Sequence, residues 1–190
     1  GRTIVKRLFD VVAATVLLLL TAPVMLLAAI AIAIESGFPV FYSQERVGQG
    51  GRTFKVLKFR SMRLDAEADG KPRWAGSNDD RITRVGHFIR KTRIDELPQI
   101  FNVLHGDMSL IGPRPVPQSE HEIADEWHKR RFDIKPGCTG LWKVYAAKTG
   151  VSFNETVLYD LYYARNMNPL LDAYIILMTI WVILAGRADG

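Results

Sequence analysis

From Leu8 to Ile34 the chain runs 27 residues with one charge, Asp10, and only Thr15 and Thr21 as mild polar interruptions. A straight helix of that length covers about 40 Å at ~1.5 Å per residue, against a hydrocarbon core of ~30 Å. The segment is therefore long enough to span a bilayer with tilt. A cleaved leader is a poor match, because its apolar region is shorter than this one. Pro23 lies near the middle, where it removes a backbone donor and clashes with the preceding turn, so a kink or break is predicted there. Arg2, Lys6 and Arg7 precede the run, and Arg46, Arg52, Lys55, Lys58 and Arg60 follow it. Both flanks thus carry the positive charge of cytoplasmic segments. A helix that enters one leaflet, turns at Pro23 and returns satisfies both observations. It also leaves Asp10 at the interface, avoiding a charge penalty of ~3 kcal/mol in hydrocarbon.

A second apolar run, Ala173 to Gly186, has 14 residues, about 21 Å of helix at ~1.5 Å per residue, too short to cross. With Tyr174, Trp181 and Arg187 as anchors it predicts a helix lying on the membrane surface or packed on the core. The expected fold class is α+β and predominantly helical. Its parts are a re-entrant membrane helix broken at Pro23 (1–36), a small domain with a short β-hairpin (37–169), and an interfacial amphipathic helix (170–190).

The net charge of +5 suits a polyanionic partner without choosing among nucleic acid, anionic lipid and a diphosphate. Nucleic acid is disfavoured, since aromatic residues are not interleaved with the basic run and the two apolar segments would have no part in it. Cys138 is the only cysteine, which excludes an intrachain disulfide and a cysteine-rich zinc cluster and fits a reducing compartment.

In the middle of the chain, Val40 to Tyr42 and Thr53 to Arg60 flank a Gly48-Gln49-Gly50-Gly51 turn, the pattern of a hairpin. The alternation delivers Lys58 and Arg60 to one side. Residues 64–80 are polar, with Trp74 the one bulky apolar residue after Leu64, and are expected to form a loop or mobile lid. Residues 81–93 carry Arg81, Arg84, His87, Arg90, Lys91 and Arg93 with no acid, while Ile82, Val85 and Ile89 recur at helical spacing. That is a cationic helix packed by one stripe.

Asp95-Glu96-Leu97-Pro98-Gln99 follows at once. Pro98 belongs in a first helical turn, so a helix is predicted to begin at or near Asp95, with Asp95 a candidate N-cap. A carboxylate can also attack phosphorus to form an acyl phosphate, provided that cations first neutralise the substrate. One carboxylate holding magnesium among several Arg and Lys supplies that neutralisation. Further on, Gly112-Pro113-Arg114-Pro115 is a stiff turn that fixes the direction of Arg114, as bidentate phosphate recognition requires.

Taken in order, Lys6-Arg7-Leu8-Phe9-Asp10, the proline-bearing apolar helix, Lys58-Phe59-Arg60-Ser61-Met62, Asp95-Glu96-Leu97-Pro98-Gln99, Phe101-Asn102-Val103-Leu104, Gly106-Asp107-Met108-Ser109, Gly112-Pro113-Arg114-Pro115 and Lys135-Pro136-Gly137 form a set that resembles the bacterial sugar transferases. These are the monotopic polyprenyl-phosphate phosphoglycosyl transferases, and the resemblance covers essentially the whole chain. It implies a cytoplasmic catalytic domain on the bacterial inner membrane, magnesium dependence, a nucleotide-sugar donor of the UDP type and an undecaprenyl phosphate acceptor. It implies Asp95 as nucleophile toward the sugar-bearing phosphate and Glu96 as the magnesium-binding partner, with Lys58, Arg60, Arg90 and Arg114 as phosphate contacts. One segment departs from the family: where a Gly-Arg-Asn-type stretch is usual, Tyr145-Ala146-Ala147-Lys148 stands, and Lys148 is the available cation. Two other readings remain at this stage, single-step transfer with Asp95 as base and a non-catalytic protein that binds anionic lipid.

Overall fold

A 35-residue helix, α1 (Arg2–Ser36), opens the chain, and everything after it is built against its flank. The computed structural model describes residues 2–66, 79–146 and 152–185. Most of the segment expected to form a lid, with Trp74, lies outside them, as do Lys148 and Arg187.

Contrary to the expected break, α1 is helical across Pro23. The proline costs one backbone hydrogen bond, but the long apolar stretches on either side keep their own ladders, and hydroxyls can satisfy carbonyls nearby. Thr21 Oγ1 bonds the Leu17 carbonyl at 2.7 Å, in the turn beside the Leu19 carbonyl that loses its donor at Pro23.

The hairpin forms as expected. β1 (Phe41–Val47) pairs antiparallel with β2 (Thr53–Phe59), Tyr42 opposite Lys58 and Gln44 opposite Val56. The cationic helix is α2 (Arg84–Lys91), capped by Thr83, whose side chain accepts from the Gly86 amide. α3 (Gln99–His105) then leads to β3 (Ser109–Ile111), the short helices α4 (Gln118–Glu122) and α5 (Glu126–Lys129), and β4 (Gly137–Thr139). β3 and β4 are parallel, Ser109 opposite Gly137. The chain crosses itself tightly there, since a Cβ on Gly137 would lie 2.0 Å from the Gly112 amide nitrogen. α6 (Leu141–Ala146), α7 (Phe153–Asn166) and α8 (Pro169–Leu184) complete the described chain.

Among the described residues four apolar clusters hold these pieces, the smallest being Val47, Val116 and Phe132. Met25, Ala28 and Ile32 of α1 meet Val40, Phe59 and Ile89. Ala14 meets Val56, Ile100, Val103 and Met108. Ile111, Leu141, Val144, Tyr163 and Ile175 form the third. The other side of α1 stays bare: Leu19, Leu20, Leu26 and Leu27 are exposed. α8 repeats the arrangement, with Ile175 and Val182 buried and Leu170, Leu177, Trp181 and Leu184 exposed.

Polar contacts fasten both ends of α1 to the same body. Near its start, Lys6 Nζ reaches Asp172 Oδ2 at 2.8 Å, Arg7 Nη2 donates to the Leu104 carbonyl at 2.8 Å, and Asp10 Oδ1 accepts from the Leu110 amide at 3.2 Å. At its other end, the Glu35 carboxylate accepts the Arg84 and Val85 amides, both at 2.9 Å. That is an acid capping the free amides of α2, as the helix dipole favours.

Candidate active site

Between α2 and α3 the chain turns at Arg93, a non-glycine residue in the left-handed region (φ 59°, ψ 15°). A single 3-10 turn, Ile94–Glu96, carries the two acids. Asp95 is therefore not the N-cap of a long helix. α3 starts four residues later at Gln99, because Pro98 occupies the capping position with no amide to offer. Ile94 and Leu97 flank the acids and pack into the cluster that α1 helps to form, which fixes the turn.

Glu96 is the hub of the site. Its Oε1 lies 3.8 Å from both Lys58 Nζ and Arg93 Nη1, and its Oε2 accepts from Lys143 Nζ. Burial works against this charge, but Lys143, Lys58 and Arg93 overcome it and bring the carboxyl down to about 2. Asp95 behaves in the opposite way. Burial first, and then the Glu96 charge, push its carboxyl up to about 6 against the pull of Lys58, Arg93 and Arg90. Asp95 Oδ1 is buried with no hydrogen-bond partner among the described residues. One acid is thus surrounded by cations, and the other keeps a buried oxygen with no partner among the described residues.

The hairpin that supplies Lys58 is locked to α3 by Asn102. Its amide donates to the Lys55 carbonyl at 2.8 Å, and its oxygen accepts from the Leu57 amide at 2.9 Å, so the α3 side chain imitates a neighbouring strand beside Lys58.

Of the residues expected from sequence, Asp95, Glu96 and Lys58 meet directly, and Arg90 is near enough to act on Asp95 through its charge. Arg60 stands elsewhere. β2 ends at Phe59, and Arg60 turns to the end of α1, where its Nη2 donates to the Ser36 carbonyl at 2.8 Å and the Gly37 carbonyl at 2.6 Å. Arg114 stands beside an aromatic ring that it shares with Lys143. Its guanidinium lies 5.8 Å from the centroid of Trp142, and Lys143 Nζ lies 5.8 Å from the same ring. Lys143 and Trp142 were not among the expected site residues, and nothing in their local sequence marks them, because Lys143 reaches Glu96 across 47 positions.

A paired-carboxylate centre lined with cations, on a domain assembled along a long apolar helix, is the class of protein that this geometry defines. The chain belongs to the bacterial sugar transferase family, whose family model matches residues 1–186. It is 42% identical over 193 residues to the galactosyl transferase CpsE of Streptococcus agalactiae, covering 96% of this chain and 43% of that protein. It is 43% identical to the UDP-N-acetylgalactosamine-undecaprenyl-phosphate N-acetylgalactosaminephosphotransferase of Aeromonas hydrophila, covering 96% of this chain and 44% of that protein. It is 36% identical to the exopolysaccharide production protein ExoY of Rhizobium meliloti, here covering 97% of this chain and 87% of the relative. The chain thus spans less than half the length of the first two relatives.

Proposed function

We propose that this protein transfers a phospho-sugar from a UDP-sugar to undecaprenyl phosphate, releasing the nucleoside monophosphate, as a membrane step of glycoconjugate assembly. The observation that carries the reading is the contrast within the acid pair: Asp95 has a buried, unpartnered oxygen and an elevated carboxyl, and Glu96 is held ionised by three cations. In this reading Asp95 attacks the sugar-bearing phosphorus. The bond from that phosphorus to the nucleotide's bridging oxygen breaks, and the nucleoside monophosphate leaves with the electron pair. A lipid phosphate oxygen then attacks the same phosphorus, and the acyl-phosphate bond breaks to restore the carboxylate.

Lys58, Arg93, Arg90 and Arg114 neutralise and orient the diphosphate. Among the described residues no group of three or more His, Cys, Asp or Glu converges on one point, so a dedicated all-protein cage is not the model here. Magnesium commonly takes one or two carboxylates and completes its shell with phosphate oxygens and water, and Glu96, whose carboxyl is held ionised beside Asp95, is the group that would hold it. When bound, the ion would withdraw charge from the phosphate oxygens. The experiment is to incubate the protein with a UDP-sugar labelled in the sugar and no lipid. Label retained on the protein, and lost on addition of undecaprenyl phosphate, is expected; full transfer without any retained label sinks the covalent route and favours Asp95 as a base. Galactose and N-acetylgalactosamine donors, the sugars in the relatives' names, are the first to assay.

In the same reading the bare sides of α1 and α8 rest in one leaflet and the domain faces the cytoplasm. Support comes from α1 itself, whose two ends are bound to one polar body. Single cysteines at Thr3 and Phe38, in a Cys138→Ser background, are expected to react with an impermeant maleimide from the same side of sealed vesicles. Labelling from opposite sides defeats this topology.

A further inference from the structure

Behind Arg114 lies an ion pair that the chemistry above does not use. Arg131 and Asp160 are 2% and 1% exposed at their side chains, and Arg131 Nη2 lies 2.8 Å from Asp160 Oδ2. Both partners also grip the backbone of Arg114. Arg131 Nη2 donates to its carbonyl at 2.9 Å, and Asp160 Oδ2 accepts from its amide at 3.4 Å. Neither touches the acid pair. Stability is a weak explanation for the arrangement. Arg131 Nε is buried with no partner among the described residues, and burial lifts the Asp160 carboxyl to about 7 in spite of the adjacent guanidinium. A buried pair with such desolvation commonly contributes little to the folded state and is replaceable by apolar side chains.

The turn they hold is aimed. Trp142 Nε1 donates to the Gly112 carbonyl at 3.2 Å, and the centroid of the same indole ring lies 5.8 Å from both the Arg114 guanidinium and the Lys143 ammonium. Lys143 in turn holds Glu96. A displacement of the Arg114 backbone by a fraction of an ångström therefore moves the guanidinium relative to the acid pair.

We propose that Arg131 and Asp160 are positioning residues, which clamp both polar groups of the Arg114 backbone so that its guanidinium meets the donor diphosphate; this rests on the phosphate-contacting role given to Arg114 above. The test is a cycle of donor KM, kcat and melting temperature on the full chain, using Arg114→Ala, the double variant Arg131→Met with Asp160→Leu, and all three changes together. Arg114→Ala is expected to raise donor KM about 10-fold, the value of one charge-assisted contact. The double variant is expected to raise KM by a similar factor with kcat and melting little changed, and to add nothing beside Arg114→Ala. Multiplication of the two effects, to about 100-fold in the triple variant, overturns the positioning role and leaves the Arg114 reading intact. An unchanged KM in Arg114→Ala overturns the phosphate contact itself, and the positioning role with it. Should the double variant unfold at assay temperature, Arg131→Lys, which keeps a cation against Asp160, is expected to raise donor KM about 3-fold in the Arg114 background and not beside Arg114→Ala. An unchanged KM in the Arg114 background then overturns the proposal.

Discussion

Asp95→Asn is expected to lower nucleoside monophosphate release by at least about 1,000-fold, because an amide cannot form the acyl phosphate. The same change is expected to make the protein more stable at neutral pH. A carboxyl that titrates near 6 in the folded chain and near 3.8 when unfolded disfavours the fold once it is ionised. That cost is fully present above pH 6 and absent below about pH 4, and removing it is worth about 3 kcal/mol. Melting curves at pH 7.5 and pH 4 measure it: the variant should melt higher at the first and equal to the parent at the second. In the parent, activity should fall as pH drops through about 6, when Asp95 takes up a proton. Retained activity in Asp95→Asn rules out the nucleophile assignment, and a lower melting temperature at pH 7.5 rules out the electrostatic account.

Glu96→Gln should act with the opposite sign on stability. The Glu96 carboxyl sits at about 2 in the fold, below its ordinary 4.5, so its contribution is complete above pH 4.5 and is lost as pH falls toward 2. Replacing it leaves Lys58, Arg93 and Lys143 facing one another without their shared anion. With a side chain 20% exposed, the loss is about 1–3 kcal/mol. Transfer is expected to fall at least about 100-fold, since an electrostatic organiser of the phosphate site is gone. Any residual activity should keep its acid limb at a lower pH than the parent, because Glu96 is one of the causes that hold Asp95 up. Identical acid limbs in the two proteins contradict the coupling between the acids. Opposite shifts in melting for two adjacent carboxylates at neutral pH are difficult to produce by general damage to the fold.

The parts of this fold that were legible in the sequence are those whose signal is local. Alternation and glycines fixed the hairpin from Phe41 to Phe59, and Val85 and Ile89 at helical spacing fixed α2. The acid pair beside a run of cations marked the site. What sequence reasoning missed depends on approach in space. Lys143 and Trp142 reach the site from beyond β4, Asn102 bonds β2 from α3, and Arg131 and Asp160 meet across two helices. The helix predicted from Asp95 failed for a different reason. Pro98 fits the first turn of a helix and also the residue just before one, and Arg93 enters the left-handed region without the glycine that would have announced a turn. Arg60 shares a strand face with Lys58 in the pattern, but the strand stops one residue short of it.

α1 lends Ala14, Met25, Ala28 and Ile32 to two of the four interior clusters and caps α2 with Glu35. The apolar helix is consequently a wall of the body that carries the acid pair. Deleting it to obtain a water-soluble version would strip the floor from beneath that pair, so engineering for solubility has to recolour the bare side of the helix, Leu19, Leu20, Leu26 and Leu27, and leave the inward side untouched.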